Sequence, residues 1–270
     1  MKLSFVISTQ PTKFQAIAFD PNFEANVARL AELGFDGVEL GVREPDKVDV
    51  ANIKRILDKY KLVVPAIGTG QAFVEEHLSF TDPEASVREQ AIARVKRHIA
   101  LAHEFGALVI IGLIRGTVQA NVSREQAHAW MIDALKIVAR EAKANGVRVA
   151  IEPINRYETN LLNTVADSLH VIDAIGADNI GILFDTFHAN IEEPRIEIGL
   201  MVCRSRLLHV HVADSNRWYP GAGHTDFGRV LSTLRGMKYT GWVSAEILAK
   251  PDVSTAAAHT IAALRPLVRV

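Results

Sequence analysis

The chain has 270 residues, of which 49% are hydrophobic and 23% are charged, so it can build a large core with a solvated surface. Its 30 basic and 31 acidic side chains nearly cancel, which argues against a large electrostatic surface for nucleic acid. The single cysteine, Cys203, excludes an internal disulfide and is typical of a reducing compartment.

The N-terminal segment and the hydropathy pattern predict a cytoplasmic chain without a membrane partner. The apolar stretch at residues 2–7 is too short for a signal peptide and runs directly into a polar loop. No run of apolar residues is long enough to span a bilayer.

Strand-like and helix-like segments alternate along the whole chain. The predicted strands are short apolar runs that end at Ser8, Leu40, Ile67, Ile111, Ile151, Phe184, Val210 and Ala245. Helices are predicted at residues 22–33, 50–59, 123–145, 165–175, 196–203, 226–234 and 254–267, and one more runs to residue 105 from a cap at Asp82 or Ser86. We expect Gly34 and Gly106 to end their helices.

Eight strand-then-helix units at this spacing predict an α/β fold, a (β/α)8 TIM barrel, formed by residues 1–270 as one domain. A doubly wound sheet is the structural alternative. That fold usually carries a Gly-x-Gly-x-x-Gly turn after its first strand, whereas Thr9-Gln10-Pro11-Thr12 follows Ser8 here. We therefore favour the barrel, in which an active site forms at the carboxyl ends of the strands.

Each of the last four predicted strands leads into one side chain that can bind a metal. The β-branched run at residues 147–151 leads into Glu152 and then Pro153, which lacks the N–H needed to continue a ladder. The next three strands lead in the same way into Asp185, His211 and Glu246. One such residue alone is more often a loop cap, but closure of a barrel brings all four together.

A divalent metal would resolve the charge problem that this cluster creates. Three carboxylates gathered in one place repel each other and are costly to desolvate without a cation. With one imidazole they form an oxygen-rich set that suits Mn²⁺ or Mg²⁺ and, less well, Co²⁺ or Zn²⁺. His209 lies on the same side of its strand as His211. We expect it either to orient that ligand or to pack as an interior histidine.

Four segments together resemble the sugar isomerase/epimerase family, whose barrel is like that of xylose isomerase. They are Ile67-Gly68-Thr69-Gly70-Gln71, Ile151-Glu152-Pro153-Ile154-Asn155-Arg156-Tyr157-Glu158, Asp185-Thr186-Phe187-His188 and His209-Val210-His211-Val212-Ala213-Asp214-Ser215-Asn216-Arg217. The resemblance covers nearly the whole chain. Within the family it is closest to the 5-keto-L-gluconate epimerases, and D-tagatose 3-epimerase is a more distant relative.

The resemblance implies site residues, a cofactor and an assembly. The family's metal ligands are matched by Glu152, Asp185, His211 and Glu246, of which the two glutamates also match its acid/base pair. Its substrate contacts are matched by Glu158, His188, Arg217 and Gln71. The resemblance further implies one divalent ion, usually Mn²⁺ with Mg²⁺ or Co²⁺ as substitutes, a small keto-sugar substrate, and a homodimer or homotetramer. Residues 247–251 depart from the family pattern, which affects the rim of the pocket.

Epimerisation beside a ketone needs residues of these types. A cation held by the carbonyl and the neighbouring hydroxyl oxygen stabilises the enediolate that forms when the C–H proton leaves. Inversion removes a proton from one face and delivers another to the opposite face, which requires two acid/base groups. Glu152 and Glu246 come from strands three apart, so they can flank a substrate. The pair favours an epimerase over an isomerase, which needs only one base.

Arginines in the loops of the active face bear on the substrate class. They follow strands two, four, five and seven, as Arg43, Arg115, Arg156 and Arg217. We expect at least two to be solvated or paired with neighbours such as Glu44 or Glu158. A guanidinium matches a carboxylate in two parallel hydrogen bonds. The hypothesis is therefore a keto-sugar acid of the 5-keto-L-gluconate or D-tagaturonate type, with Arg43 or Arg115 nearest its carboxylate.

Several other functions remain open at this point. A ketose 3-epimerase, or a ketose or hydroxypyruvate isomerase, would act on neutral or other small keto-sugars with the same residues. A keto-inositol dehydratase would expel a hydroxyl group after enolisation. An endonuclease for abasic DNA would need several metals and a basic groove, which the charge balance disfavours. A non-catalytic sugar-binding module would have no need of two carboxylates against a metal.

Overall fold

The computed structural model describes residues 1–18 and 21–268, and its eight parallel strands close into a barrel in chain order. The strands are β1 (Lys2–Ser8), β2 (Gly37–Gly41), β3 (Ala66–Gly68), β4 (Leu108–Ile111), β5 (Val149–Ile151), β6 (Ile180–Asp185), β7 (Leu207–Val212) and β8 (Trp242–Ala245). The ring is completed by β8, which pairs in parallel with β1. The predicted (β/α)8 architecture is confirmed.

Ten α-helices surround the described part of the barrel. They are α1 (Phe23–Leu33), α2 (Val50–Tyr60), α3 (Gly70–Glu76), α4 (Ala85–Phe105), α5 (Arg124–Ala144), α6 (Val165–Ile175), α7 (Thr186–Glu192), α8 (Ile196–Val202), α9 (Phe227–Gly236) and α10 (Val253–Val268). Eight of them match predicted helices. The additional helices, α3 and α7, have seven residues each, which is too short to show a clear helical period. Within the described ranges, no helix combines the length and apolarity needed to cross a membrane.

The helix ends follow local capping rules at most positions. Gly34 and Gly106 end α1 and α4 in the left-handed conformation, with φ of 90° and 64°. Ser123 caps α5 by accepting a hydrogen bond from the Gln126 N–H. The expected cap of α4 at Asp82 or Ser86 is wrong. The helix begins after residue 84, and Asp82 instead accepts a hydrogen bond within the preceding turn.

The third strand is shorter than the apolar run at residues 62–67, which the sequence predicts to form a strand that ends at Ile67. Val63 makes only an isolated bridge with Gly37, and the regular ladder begins at Ala66. Pro65 explains the interruption, because it has no N–H to contribute to a ladder. The segment before Pro65 consequently lies at the amino end of the barrel, where the Val63 side chain is exposed.

The interior of the barrel has an apolar half and a polar half. The apolar half is a separate cluster formed by Ala66, Leu108, Ile110, Ala150 and Leu183, from β3 to β6. On the other side, Glu39 of β2 reaches across the interior to His209 and His211 of β7. Every residue in both groups is buried. The site at the carboxyl ends of the strands therefore has hydrocarbon beneath one half and a polar network beneath the other.

Truncation of a side chain in the apolar half should destabilise the fold strongly. Ile110 is 3% exposed, and Ile110→Ala should lower the free energy of unfolding by about 2–5 kcal/mol, because it removes buried methyl groups and leaves a cavity. Ile198→Ala is the matched control, since Ile198 is 41% exposed and should change stability by about 0.5 kcal/mol at most. Urea denaturation of the two variants measures the difference, and equal losses would contradict this packing.

Candidate active site

Four predicted residues meet at the carboxyl ends of β5 to β8. Glu152 follows β5, Asp185 ends β6, His211 lies in β7 and Glu246 follows β8. One side-chain donor atom from each lies within 4.8 Å of the donor atoms of the other three, and all four residues are buried. The His211 Nδ1 atom is 3.7 Å from Glu152 Oε1, 3.8 Å from Asp185 Oδ2 and 3.9 Å from Glu246 Oε2. The barrel register makes this cluster, because it pairs Asp185 directly with His211.

The atoms that face the centre of this cluster have no hydrogen-bond partner. Glu152 Oε1, Asp185 Oδ2 and His211 Nδ1 are all buried and unpaired. Leaving such atoms unpaired is costly, and a divalent cation among them would remove the cost. Three carboxylate oxygens and one imidazole nitrogen also form a chemically suitable set for Mn²⁺, Mg²⁺ or Co²⁺. The residues therefore fit a divalent metal ion.

Without a cation, the cluster holds protons in its place. Burial raises the pKa of Glu246, and the nearby carboxylates Glu152 and Asp185 raise it further, against the opposing effects of His211 and Arg217. Burial alone would lower the pKa of His211, but Glu39 and the other surrounding carboxylates raise it well above its usual value. Burial likewise opposes ionisation of Glu152, yet its pKa falls because His211 and His188 lie beside it.

Metal binding should release protons near neutral pH. The raised pKa values of Glu246 and His211 mean that both groups hold protons in the metal-free protein at pH 7, and a cation must displace them. Apparent affinity for Mn²⁺ should therefore fall as the pH is lowered from 8 to 6. Calorimetric titrations in buffers of different ionisation enthalpy give the number of protons released. An enthalpy that does not depend on the buffer would show that the cluster is already deprotonated.

Glu39 is a buried carboxylate that sequence analysis left without a role. Its Oε1 atom accepts a hydrogen bond from His211 Nε2 at 2.9 Å, and its Oε2 atom accepts one from His209 Nε2 at 2.8 Å. Burial opposes its ionisation, but the two imidazoles hold the pKa of Glu39 well below the usual range. These three residues could also hold a metal, but the distances between them are those of hydrogen bonds. The one feature of the sequence that could have indicated a role for Glu39 is that it is a charged residue within a buried strand.

The Glu39 bridge determines how His211 presents itself to the cluster. Because Glu39 accepts the Nε2 proton, it is the Nδ1 atom that faces the three carboxylates, and loss of the second proton gives it a lone pair for a metal. His209 binds the same carboxylate and not His211 itself. It can therefore orient His211 only indirectly, through Glu39. Its ring lies edge-on to that of His211, at 5.4 Å between centroids.

Replacing Glu39 with glutamine should weaken metal binding. The amide can accept a proton from only one of the two imidazoles, and its N–H₂ group favours a His211 tautomer that carries the proton on Nδ1. We expect the dissociation constant for Mn²⁺ to rise by about 10–100-fold. Glu89→Gln, on an exposed position of α4, is the control for charge. Competition against a chelator measures both variants, and an unchanged affinity in Glu39→Gln would remove this role.

Asn155 fixes the orientation of His188, a residue predicted to bind substrate. The Asn155 Oδ1 atom accepts a hydrogen bond from the Tyr157 N–H, so its Nδ2 atom is the donor to its other two contacts. Nδ2 donates to Glu158 Oε1 at 2.9 Å and to His188 Nδ1 at 2.7 Å. His188 therefore carries its proton on Nε2, which lies 3.7 Å from Glu152 Oε1. Asn155 was not among the predicted site residues.

Arg217 and Glu158 lie together at the rim of the cluster. The guanidinium of Arg217 donates to Glu158 Oε1 at 2.7 Å and to Glu246 Oε2 at 3.4 Å. It also lies over the rings of Phe14 and Phe187, at 5.7 and 5.0 Å from their centroids. Both predicted substrate contacts are thus brought to the pocket that holds the cluster. The ion pair agrees with the expectation that Glu158 pairs with a loop arginine.

Arg115 does not occupy the position expected of a carboxylate receptor. It is fully buried, and its guanidinium donates to the backbone carbonyls of Gly112, Leu161 and Leu162. Burial lowers its pKa to about 10, and Glu152 opposes this shift, so the group remains charged at neutral pH. Arg115 therefore ties together the loops after β4 and β5 and contributes positive charge behind Glu152. Arg115 follows β4 closely in the sequence, and this is compatible both with a substrate-binding position and with the buried position between the two loops. The sequence alone therefore could not distinguish them.

The other loop arginines and Gln71 are also held by protein partners. Arg43 donates to Glu75 at 2.7 Å, and Arg156 pairs with Glu192 at 2.9 Å. Neither of these arginines lines the pocket around the cluster. The Gln71 amide donates to the Ser8 hydroxyl at 2.8 Å, beside that pocket. The expectation that Arg43 is near a substrate carboxylate therefore does not fit its position.

The pocket around the cluster is small. Its volume is about 30 Å³, enough for only one or two water molecules. Phe14 and Ile17, from the segment after β1, form part of its wall. Thr12 of the same segment donates to Glu75, and Arg43 holds the other oxygen of that carboxylate. A sugar is larger than this volume, so its entry requires part of the pocket wall to move.

Comparisons with known proteins agree with the barrel fold. Residues 27–267 match the model of the family described as a xylose isomerase-like TIM barrel. The chain belongs to that family. It is an isomerase, since its relatives are named as sugar epimerases.

Two relatives and one solved structure illustrate the activities that are named within the family. The ketose 3-epimerase of Arthrobacter globiformis is 30% identical over 85% of this chain and 80% of its own length. The 3-dehydro-D-guloside 4-epimerase of Escherichia coli is 28% identical over 88% of this chain and 90% of its own. The crystal structure of 3-keto-D-glucoside 4-epimerase from E. coli superposes with a TM-score of 0.84, at 25% identity, over 98% of this chain and 99% of that one.

Proposed function

We propose that the protein is a divalent-metal-dependent epimerase of a small keto-sugar, in which Glu152 and Glu246 act as the acid/base pair. The observation that carries the proposal is that two buried glutamates belong to one cluster but come from different strands of the barrel. Glu152 follows β5 and Glu246 follows β8, and their carboxylate oxygens lie 3.7 and 3.9 Å from the His211 Nδ1 atom. Two carboxyl groups held at one site can supply both the base that removes a proton and the acid that delivers one.

The residues around the pair have complementary tasks in this proposal. One glutamate removes the proton from the carbon beside the ketone, and the other delivers a proton to the opposite face of that carbon. His188 directs an Nε2–H donor into the pocket, suited to a carbonyl or hydroxyl oxygen of the sugar. Arg217 and Glu158 offer a donor and an acceptor to the neighbouring hydroxyls. A metal held by Glu152, Asp185, His211 and Glu246 would polarise the carbonyl as a Lewis acid.

The substrate that we propose is a keto-sugar acid of the 5-keto-L-gluconate or D-tagaturonate type. Its support is the likeness of the four sequence segments to the 5-keto-L-gluconate epimerases. Arg217 is the only arginine among the described residues that line the pocket, and no lysine is among them, so it is the group to receive the carboxylate. To do so it would have to exchange its contact with Glu158, which is 2.7 Å away.

A neutral ketose is the second candidate, and two observations favour it. Arg43 and Arg115 are occupied by protein partners, and Arg217, the one arginine that lines the pocket in the described chain, is paired with Glu158 and Glu246. Several relatives are named as L-ribulose, D-psicose or ketose 3-epimerases. A neutral sugar needs only hydroxyl partners, which Glu158, His188 and Arg217 already provide.

Proton exchange tests the reaction and the substrate together. Chelator-treated protein is incubated with 5-keto-L-gluconate, L-ribulose or D-fructose in D₂O, without and then with Mn²⁺, and the products are analysed by NMR after metal removal. We expect metal-dependent inversion with one deuterium at the inverted carbon, fastest with the acid. Faster turnover of the neutral ketoses would select the second candidate. Absence of exchange in every sugar would contradict an epimerase.

Glu246→Gln should reduce turnover by at least about 100-fold at saturating Mn²⁺, because an amide cannot transfer the proton. Since Glu246 is also a candidate ligand, the metal content of the variant is measured alongside. Glu89→Gln again controls for the loss of a charge. Full activity in Glu246→Gln would show that another group supplies the second proton.

A further inference from the structure

A second and larger cavity lies at the opposite end of the barrel. Its volume is about 640 Å³, and it is formed where the amino ends of β1, β4, β7 and β8 meet the segments that precede β3 and β5. None of its lining residues also lines the pocket that contains the metal-binding cluster. A volume of this size is in the range of small-molecule sites, about 300–1,000 Å³.

The charge that lines this cavity has one sign. Lys2, Arg148, Arg204 and Lys238 are among its lining residues, and no aspartate or glutamate is. In the described chain, none of these four side chains forms an ion pair with a carboxylate. The formal net charge of the whole protein is −1, so this is a local excess of four positive charges. A concave surface with charge of one sign attracts ligands of the opposite charge.

Aromatic side chains form another part of the same wall. Phe105, Tyr239 and Trp242 line the cavity together with the apolar residues of β4 and β7. Trp242 is held in place, because the Tyr239 hydroxyl donates to its carbonyl at 2.9 Å and its indole packs against the Gly37 backbone. The Lys2 Nζ atom lies 5.3 Å from the centroid of the indole. The cavity therefore combines fixed planar surfaces with cations.

We propose that this cavity binds a small anion that carries both phosphate groups and a planar ring, as a nucleoside triphosphate does. Arg148 and Arg204 offer planar forks that fit phosphate oxygens in pairs, and Lys2 and Lys238 add compact positive charge. The planar ring packs against the aromatic wall beside Trp242. A single phosphate carries too little negative charge to balance these four cations, whereas a triphosphate carries enough. The proposal is independent of the epimerase chemistry at the other end of the barrel.

Binding of ATP, inorganic tripolyphosphate and adenosine to the metal-free protein tests this site. Calorimetry at 150 mM salt, together with tryptophan fluorescence, should show saturable binding of ATP, weaker binding of tripolyphosphate and the weakest binding of adenosine. The double change Arg148→Ala and Arg204→Ala should raise the dissociation constant for ATP by at least about tenfold. Arg140→Ala with Arg195→Ala removes the same charge at exposed positions outside the cavity and should change it by less than about twofold.

Three results would overturn the proposal. They are the absence of saturable ATP binding, equal weakening in both double variants, and equal affinity for ATP and tripolyphosphate. The second result would mean that binding depends only on the overall charge of the protein. The third would mean that the planar ring makes no contact that contributes to binding. Thermal unfolding of each variant verifies that it is folded. No measurement uses turnover, so failure here and failure of the epimerase proposal are distinguishable.

Discussion

The main physical constraint on this structure is that like charges are buried together at one end of a closed barrel. Glu152, Asp185 and Glu246 direct carboxylates toward one point, and three facing atoms of the cluster have no hydrogen-bond partner. The surrounding protein compensates only in part, through His211, Arg217 and the buried cation of Arg115. Protons or a divalent ion must supply the remaining positive charge. Metal binding and proton transfer at this site are therefore linked by electrostatics.

The polar half of the barrel interior is the structural counterpart of that charge. Hydrocarbon fills the side between β3 and β6, whereas Glu39 and His209 lie beneath His211 on the other side. Burial of a carboxylate there is tolerable because two imidazoles satisfy both of its oxygens. The same contact directs the Nδ1 atom of His211 toward the cluster. This half of the barrel thus lacks part of the stability that an apolar core would give. In return, the polar network defines the tautomer of His211.

The two ends of the barrel have opposite electrostatic character, although the net charge is close to zero. Carboxylates dominate the carboxyl end of the strands, and four basic side chains surround the cavity at the amino end. The pocket at the carboxyl end, which Phe14 and Ile17 help to line, is small, whereas the cavity at the amino end is much larger. A balanced overall composition can therefore conceal strongly charged sites, because electrostatic recognition depends on the local arrangement.

The sequence by itself determined the alternation of strands and helices and the four strand-end residues of the cluster, because apolar periodicity and strand termination are local properties. Only the tertiary structure decided the partners of Glu39, Arg43 and Arg115. Glu39 lies 170 residues from His209, and the barrel alone brings them together. Arg115 follows its strand as a substrate-binding residue would, yet backbone carbonyls from a neighbouring loop capture it. The position of a residue in the sequence predicts at which end of the barrel it lies. The contacts of its side chain, however, depend on residues that are distant in sequence.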